Sequence, residues 1–141
     1  MNRAVKTIGA GEAWHNNGKG VEIRYLLNRH GSGSTEEKVI AWAVNSNGMP
    51  VRETMFSEHV VAGGYYDWDE LDIKSVKDEH SMEAREYLDP AGRVILKKRQ
   101  INEGASIGSV NDWAQTYYIY DLLGRLRYVL QPELAKAISQ N

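Results

Sequence analysis

The sequence predicts a mainly antiparallel all-β fold of consecutive β-hairpins that ends in a short helix. Two turn motifs carry this prediction, Asp89-Pro90-Ala91-Gly92 and Asp121-Leu122-Leu123-Gly124, each lying between strand-like runs and each followed by arginine. The aromatic composition agrees with a sheet. The chain has 8 Tyr and 4 Trp but a single Phe, and Tyr and Trp suit half-exposed sheet faces. Helical periodicity is found only near the C-terminus.

Composition excludes several classes of protein. The 141 residues are 42% hydrophobic with a net charge of -2, which is typical of one folded domain and does not favour a nucleic-acid partner. The absence of cysteine removes disulfides and thiolate metal sites. No stretch approaches the roughly 18 apolar residues of a membrane helix. We therefore expect no membrane insertion and no cofactor, and residues 1–6 do not form a signal peptide.

The first third of the chain predicts a lead-in, two strands and a turn. Residues 1–19 are rich in glycine and are predicted to be a flexible lead-in. Val21–Leu27 alternates apolar and polar residues and is predicted to be a strand. After a flexible loop at 31–37, residues 38–44 are apolar on both faces, which favours a central strand of the sheet. Asn45-Ser46-Asn47-Gly48 then repeats the turn chemistry.

The rest of the chain predicts a meander and the helix. The hairpin domain is predicted to span residues 20–131, and the helix with its tail to span 132–141. The predicted strands after the first third lie at 71–77, 82–88, 93–99, 116–120 and 126–130. A polar loop is predicted at 102–112. Pro132 suits the first position of a helix and Glu133 suits its first turn.

The chemistry of the turn explains why these four residues make a hairpin. Pro90 sets φ for the first central residue of a type I turn, and the Asp89 carboxylate can accept hydrogen bonds from the turn backbone. Gly92 can take the left-handed conformation that brings the strands back into register. Other turns follow the same pattern, Asn45 with Gly48 and Asp121 with Gly124. At 78–81 a serine replaces the glycine, at an expected cost of about 1 kcal/mol.

The two Asp turns carry a family resemblance. The run from Tyr118 to Leu126, with Tyr120-Asp121 and then Gly124-Arg125, resembles the YD repeat. Glu86 to Val94 is a variant with one residue between Tyr and Asp. Together they resemble the RHS/YD-repeat proteins in their Bacteroidota form, over roughly residues 36–134, with the strongest similarity at 83–132. The unequal spacing of the turns indicates a degenerate repeat.

The resemblance implies a structural role. Members of the family wind many hairpins into a sheet that forms a shell, which in several encloses a toxin-like C-terminal domain, and carbohydrate binding has been proposed for YD repeats. The implied function is a non-enzymatic segment of a secreted or cell-surface scaffold, and the alternative is a carbohydrate-binding surface module. The implied partners are the remainder of the polypeptide, a toxin cargo or a surface glycan. Exposed sheet edges also suggest an edge-strand homodimer, or an edge shielded by the N-terminal arm.

Several residues are candidates for ligand binding. Arg93 and Arg125 follow the turn glycines and either contact a glycan or acidic partner, or pair within the hairpin and stack on tyrosine, which we favour. Five aromatic residues form either a sugar-stacking platform or part of the sheet core, and we favour the core. They are Trp113, Tyr117, Tyr118, Tyr120 and Tyr128. The aspartates of the turns have a sufficient structural role, so no catalytic residue is predicted.

Two further groups of residues are weak candidates for a metal site. The four histidines, at positions 15, 30, 59 and 80, lack metal-binding spacing. The acidic run of Asp67, Asp69, Glu70 and Asp72 has the oxygen ligands that calcium prefers but no glycine to fold it around an ion, so we expect solvated charge there.

Overall fold

The computed structural model describes residues 3–7, 20–28, 38–53, 59–61, 63–107, 109 and 111–139. Within these ranges the strands are β1 (Arg3–Thr7), β2 (Val21–Leu27), β3 (Trp42–Val44), β4 (Pro50–Arg52), β5 (Val60–Val61), β6 (Tyr65–Tyr66), β7 (Asp72–Lys77), β8 (Glu83–Leu88), β9 (Val94–Gln100), β10 (Trp113–Tyr120) and β11 (Leu126–Leu130). The helix α1 spans Pro132–Ser139. The mainly antiparallel β architecture with a short C-terminal helix is therefore confirmed.

Seven strands form one antiparallel sheet in the order β1-β2-β7-β8-β9-β10-β11. Two small hairpins, β3-β4 and β5-β6, form a second layer over one face of this sheet. The layers are joined at Tyr117, whose hydroxyl accepts a hydrogen bond from the Ile40 backbone N–H at 3.3 Å. The Tyr117 ring also meets the Trp42 ring edge-on, with centroids 6.2 Å apart. Covering one face lets an antiparallel sheet bury a core while its other face remains open.

The core is one row of apolar side chains that crosses the covered face. Neighbouring strands place these residues directly opposite one another, in the order Leu26, Ile73, Tyr87, Leu96, Tyr117 and Leu130. Ala135 of α1 packs against the same cluster. Since opposed side chains are the unit of sheet stabilisation, this row holds six strands together and fixes their register.

The next row on the same face is polar. It runs in the order Arg24, Ser75, Arg85, Lys98 and Gln115. Lys98 is nevertheless buried, and its Nζ donates a hydrogen bond to the Ile107 carbonyl at 3.4 Å. The connection between β9 and β10 therefore supplies a hydrogen-bond acceptor for Lys98 in the polar row, whereas the second layer covers the apolar row.

Two sequence predictions about the first third are wrong. The flexible lead-in predicted for residues 1–19 contains β1, which pairs with β2 from Arg3↔Tyr25 to Thr7↔Val21; the rest of the lead-in and the predicted loop at 31–37 lie outside the described residues. Residues 38–44 are not a central strand of the main sheet. They belong to the second layer, where the Val39 carbonyl accepts from the Tyr66 N–H at 3.0 Å. Val39 is fully buried because it lies between the layers, so apolarity on both faces did not signal a central strand.

Candidate functional site

Four turns share one hydrogen-bonding pattern. In each, the side-chain oxygen of the first residue accepts from two backbone N–H groups, two and four residues on. The first residues of these turns are Asn45, Asp78, Asp89 and Asp121. The fourth residue is left-handed in all of them, with φ of 77° at Gly48, 65° at Ser81, 82° at Gly92 and 78° at Gly124. This is the conformation that the turn chemistry predicts, including the strained serine.

The Asp89 turn has an additional interaction with Arg93. Asp89 Oδ2 accepts from Arg93 Nε at 2.8 Å, while Oδ1 takes the Arg93 N–H at 2.9 Å. The guanidinium carbon lies 4.8 Å from the centre of the Tyr120 ring. Asp89 is only 4% exposed, so its charge depends on this partner. Asp89, Arg93 and Tyr120 thus form one unit, with only Asp89 fully buried, that ties the first Asp turn to the second hairpin.

The Asp121 turn repeats the aspartate–arginine pair in a more exposed setting. Asp121 Oδ2 accepts from Arg125 Nε at 2.9 Å, and Arg127 Nη1 lies 3.5 Å from the same oxygen. The backbone N–H of Arg125, helped by its side chain and by the Leu123 N–H, holds the pKa of the Asp121 carboxyl below its usual value. The Arg125 side chain is 64% exposed, compared with 37% for Arg93.

The two Asp turns lie side by side at one end of the sheet. A methyl group placed on Gly124 would lie 3.9 Å from Arg93 Nη1. Between this end and the second layer runs a cleft of about 420 Å³, within the range of small-molecule sites. We call it the hairpin-end cleft. It is lined by residues 41–44, 53, 59, 60, 66, 89–91, 93 and 120–122.

Two aromatic residues in the lining of the hairpin-end cleft, Trp42 and Tyr66, carry polar atoms. The indole Nε1 of Trp42 is buried and has no hydrogen-bond partner among the described residues. A buried donor without an acceptor costs about 1–3 kcal/mol, so this position favours an acceptor from outside the described chain. Burial, with a smaller contribution from the Asp89 charge, raises the pKa of Tyr66 to about 12. Its hydroxyl is therefore neutral at physiological pH and able to donate.

The structure separates the candidate ligand-binding residues. Arg93 and Tyr120 meet at the hairpin-end cleft, and the Tyr120 hydroxyl donates to the Val94 carbonyl at 2.7 Å. Trp113 is 3% exposed and donates its indole N–H to the Ser106 carbonyl at 2.9 Å, so the predicted platform does not include it. Tyr118 lies beside Lys97, 5.7 Å from its ring centre to Nζ. Alternation along β10 separates Trp113 from Tyr118 and Tyr120, because it sends odd and even positions to opposite faces. Tyr118 and Tyr120 both line a smaller pocket with Arg93.

Sequence reasoning missed the second-layer half of the cleft. Trp42, Tyr66 and His59 come to the cleft through the packing of the second layer, which no local pattern encodes. His59 Nδ1 lies 2.5 Å from Glu70 Oε2, and no Ser, Thr or Cys appears among the described lining residues to act as a nucleophile beside this pair. The signal that came closest was the paired tyrosines at 65 and 66.

The described part of the chain was also compared with the requirements of a metal site and of a membrane-spanning helix. No cluster of three or more His, Cys, Asp or Glu is placed to hold a metal ion there. Across the same residues, no helix is long and apolar enough to cross a membrane. The carboxylates of the two Asp turns are already bonded to backbone N–H groups and arginines, so their interactions organise the hairpins.

Comparison with known proteins found no match: no protein family, no curated protein and no solved structure is significantly similar to the chain.

Proposed function

We propose that the chain is a non-enzymatic structural segment of a longer RHS/YD-repeat protein, where it contributes hairpins to a shell or cell-surface scaffold. One observation carries the proposal. The Asp89 and Asp121 hairpins are built from the same hydrogen bonds and are stacked next to each other through β9 and β10. A repeated unit that pairs with its own neighbour is the property a growing sheet requires.

The proposed sheet is curved, and bulges supply the curvature. A register shift lies beside each Asp turn. The strand after the turn has one extra residue, Ile95 in β9 and Arg127 in β11. A bulge increases the local right-handed twist and bends the strand. Bulges placed at the same point of successive hairpins bend the sheet in the same sense, as the wall of a shell requires. In several RHS/YD-repeat proteins such a shell encloses a toxin-like C-terminal domain.

The size of the native polypeptide tests this function. An antibody raised against the 141-residue chain is used to detect the protein in extracts and in the medium of its source cells. The scaffold proposal expects a band far above 15.9 kDa, accessible to the antibody on intact cells or in the medium. A single native species of 15.9 kDa would overturn the proposal, because one such segment cannot close a shell. A large species found only inside intact cells would support the proposal that the chain is a segment of a longer protein, but it would contradict a secreted or cell-surface location.

A second function, carbohydrate binding, is favoured by one observation, the buried Trp42 N–H at the hairpin-end cleft. A sugar hydroxyl can accept from the indole, and the neutral Tyr66 hydroxyl and the exposed Arg93 edge can add further hydrogen bonds. A glycan array followed by titration calorimetry tests this. Binding that is lost in Tyr66→Phe but kept in Tyr25→Phe, a variant of an exposed tyrosine on β2 outside the cleft lining, supports it. No glycan hit, or equal loss in both variants, rejects the cleft as a sugar site.

A further inference from the structure

The two edges of the seven-stranded sheet differ in what they offer to another strand. One edge is β1, which covers β2 and carries Arg3 and Lys6. The other is β11, which pairs with β10 on one side and with no strand of the described residues on its outer side. Charged residues and proline are the usual protection of an edge. β11, Leu126–Leu130, contains a single charge and no proline.

Apolar surface accompanies the β11 edge. Five large hydrophobic side chains of the last hairpin and its helix are exposed: Leu122, Leu123, Leu126, Val129 and Leu134. Leu122 is 99% exposed, although its position in a turn gives it no local reason to be apolar. Half of the exposed large hydrophobic residues in the described ranges thus fall within 13 consecutive positions, 122–134. A concentration of this kind marks an interaction surface.

We infer that a second copy of this chain occupies the β11 edge, pairing β11 with β11 in antiparallel fashion about a two-fold axis at Val129. The occupant is argued from charge. Pairing β11 with β1 of another copy would bring Arg127 near a strand that carries two cations, Arg3 and Lys6. Like charges across a strand pair are destabilising. A two-fold contact also closes on itself, whereas a β11–β1 contact would propagate into a fibre.

The bulge in β11 fixes the register of this contact. The regular part of β11 runs over Tyr128, Val129 and Leu130, since the register shift skips Arg127. An axis at Arg127 would oppose two arginines, whereas an axis at Val129 opposes Val129 to its copy and Tyr128 to Leu130 of the copy. Because opposed residues then share a face, the apolar row that ends at Leu130 continues across the axis. With this axis Leu126 lies opposite Pro132 of the copy, where the copy's α1 begins. The exposed Leu134 is in the first turn of that helix.

The absence of cysteine makes this contact easy to test. Val129→Cys introduces the sole thiol of the chain, and cysteines directly opposite across antiparallel strands lie within disulfide reach. We expect mild oxidation to convert Val129→Cys to a covalent dimer. The matched control is Val51→Cys on β4, because Val51 is 38% exposed and Val129 is 41% exposed. Equal cross-linking of the two variants, or none at position 129, would overturn the inference.

Sedimentation equilibrium gives a second, non-covalent readout. The unmodified chain is expected to show a concentration-dependent mass between 15.9 kDa and twice that value. Val129→Lys places two ammonium groups at the axis and should abolish the dimer, while Val51→Lys should keep it. Circular dichroism checks that both variants fold. A monomer at every concentration rejects a second copy as the occupant and leaves the proposed scaffold standing, since that rests on the native polypeptide size.

Discussion

The Asp89 and Asp121 turns have the same sequence logic but different surroundings. Both carboxylates accept two backbone N–H groups and an arginine side chain. Asp89 is buried under the second layer, and its arginine stacks on Tyr120. The arginine of the Asp121 turn instead extends into solvent. One local motif therefore serves in two ways, as a buried joint between hairpins and as a surface turn.

The difference teaches where the stability of a repeat resides. An exposed aspartate–arginine pair contributes little, because solvent screens the charges and the side chains lose entropy. A buried ion pair stabilises the fold little more than apolar residues of similar volume would. Removing one partner is nevertheless costly, because it leaves a buried charge without compensation. The two turns are therefore expected to lose different amounts of folding stability on the same substitution.

The largest difference is expected between Asp89→Ala and Asp121→Ala. Asp89→Ala should lower the free energy of unfolding by about 3 kcal/mol, because it leaves two partly buried N–H groups and the Arg93 guanidinium without an acceptor. Asp121→Ala should cost clearly less, since water replaces the lost acceptor. Urea unfolding followed by tryptophan fluorescence measures both. Asp89→Asn is the control and should fall between them, because Asn45 already makes the same turn with an amide oxygen. Equal losses at the two turns would contradict the comparison.

Arginine truncation is the second test. Arg93→Ala should cost about 2 kcal/mol, since it removes charge-assisted hydrogen bonds to buried Asp89 and the stacking on Tyr120. Arg125→Ala should leave the urea midpoint nearly unchanged because its side chain is solvated. Arg93→Lys refines the result: a lysine keeps the charge but not the planar fork, so it should recover only part of the loss. Full recovery by lysine would show that charge alone matters.

The third test substitutes the residues at two positions with left-handed backbone, Ser81 and Gly92. Ser81→Gly should raise the free energy of unfolding by about 0.5–1 kcal/mol, because serine at φ 65° is strained. Gly92→Ala should lower it by about 1 kcal/mol. A Cβ at Gly92 would contact nothing within 4 Å, so that loss measures backbone strain alone. Thermal unfolding of the two variants with the unmodified chain gives both values. A destabilised Ser81→Gly variant would show that serine has a side-chain role in its turn.

The smallest effect is the pH dependence at Asp121. Its pKa is lower in the folded protein than in the unfolded chain, where it is about 3.9. The unfolded state therefore binds more protons, and the stabilisation is complete above that value and is lost as the pH falls through the folded pKa. Between pH 6 and pH 3, Asp121→Asn should lose less stability than the unmodified protein. Urea midpoints across this range measure the difference. Parallel pH profiles would contradict it.

The sequence predicted the elements that depend on interactions between residues close together in the chain. The strands on either side of the two Asp turns and the helix beginning at Pro132 were predicted to within a few residues, because alternation, turn chemistry and capping act over short distances. The strand in the lead-in was missed. The sequence of β1, RAVKT, does not alternate apolar and polar residues, and β2 offers it an edge to pair with.

The candidate site was predicted only in part. Arg93 and Tyr120 were found because the turn motif marks them, and they contact each other. For Trp113 the sequence left a platform and the sheet core open, with the core favoured, and the residue lies in the interior. Aromatic content alone does not tell which face of a strand will be covered. Trp42 and Tyr66 join the hairpin-end cleft from the second layer, at a distance along the chain that no periodicity spans.

The sequence by itself determined the turns. Their side-chain oxygens, left-handed fourth residues and following arginines lie within five positions of one another, so local chemistry is enough to shape them. Tertiary structure alone decided how deeply each turn is buried. The second layer packs on the sheet through contacts such as Ile40 to Tyr117. The Asp89 and Arg93 side chains are 3% and 37% exposed, whereas those of Asp121 and Arg125 are 11% and 64% exposed. Burial is a property of the whole packed chain, and two nearly identical motifs consequently differ in exposure.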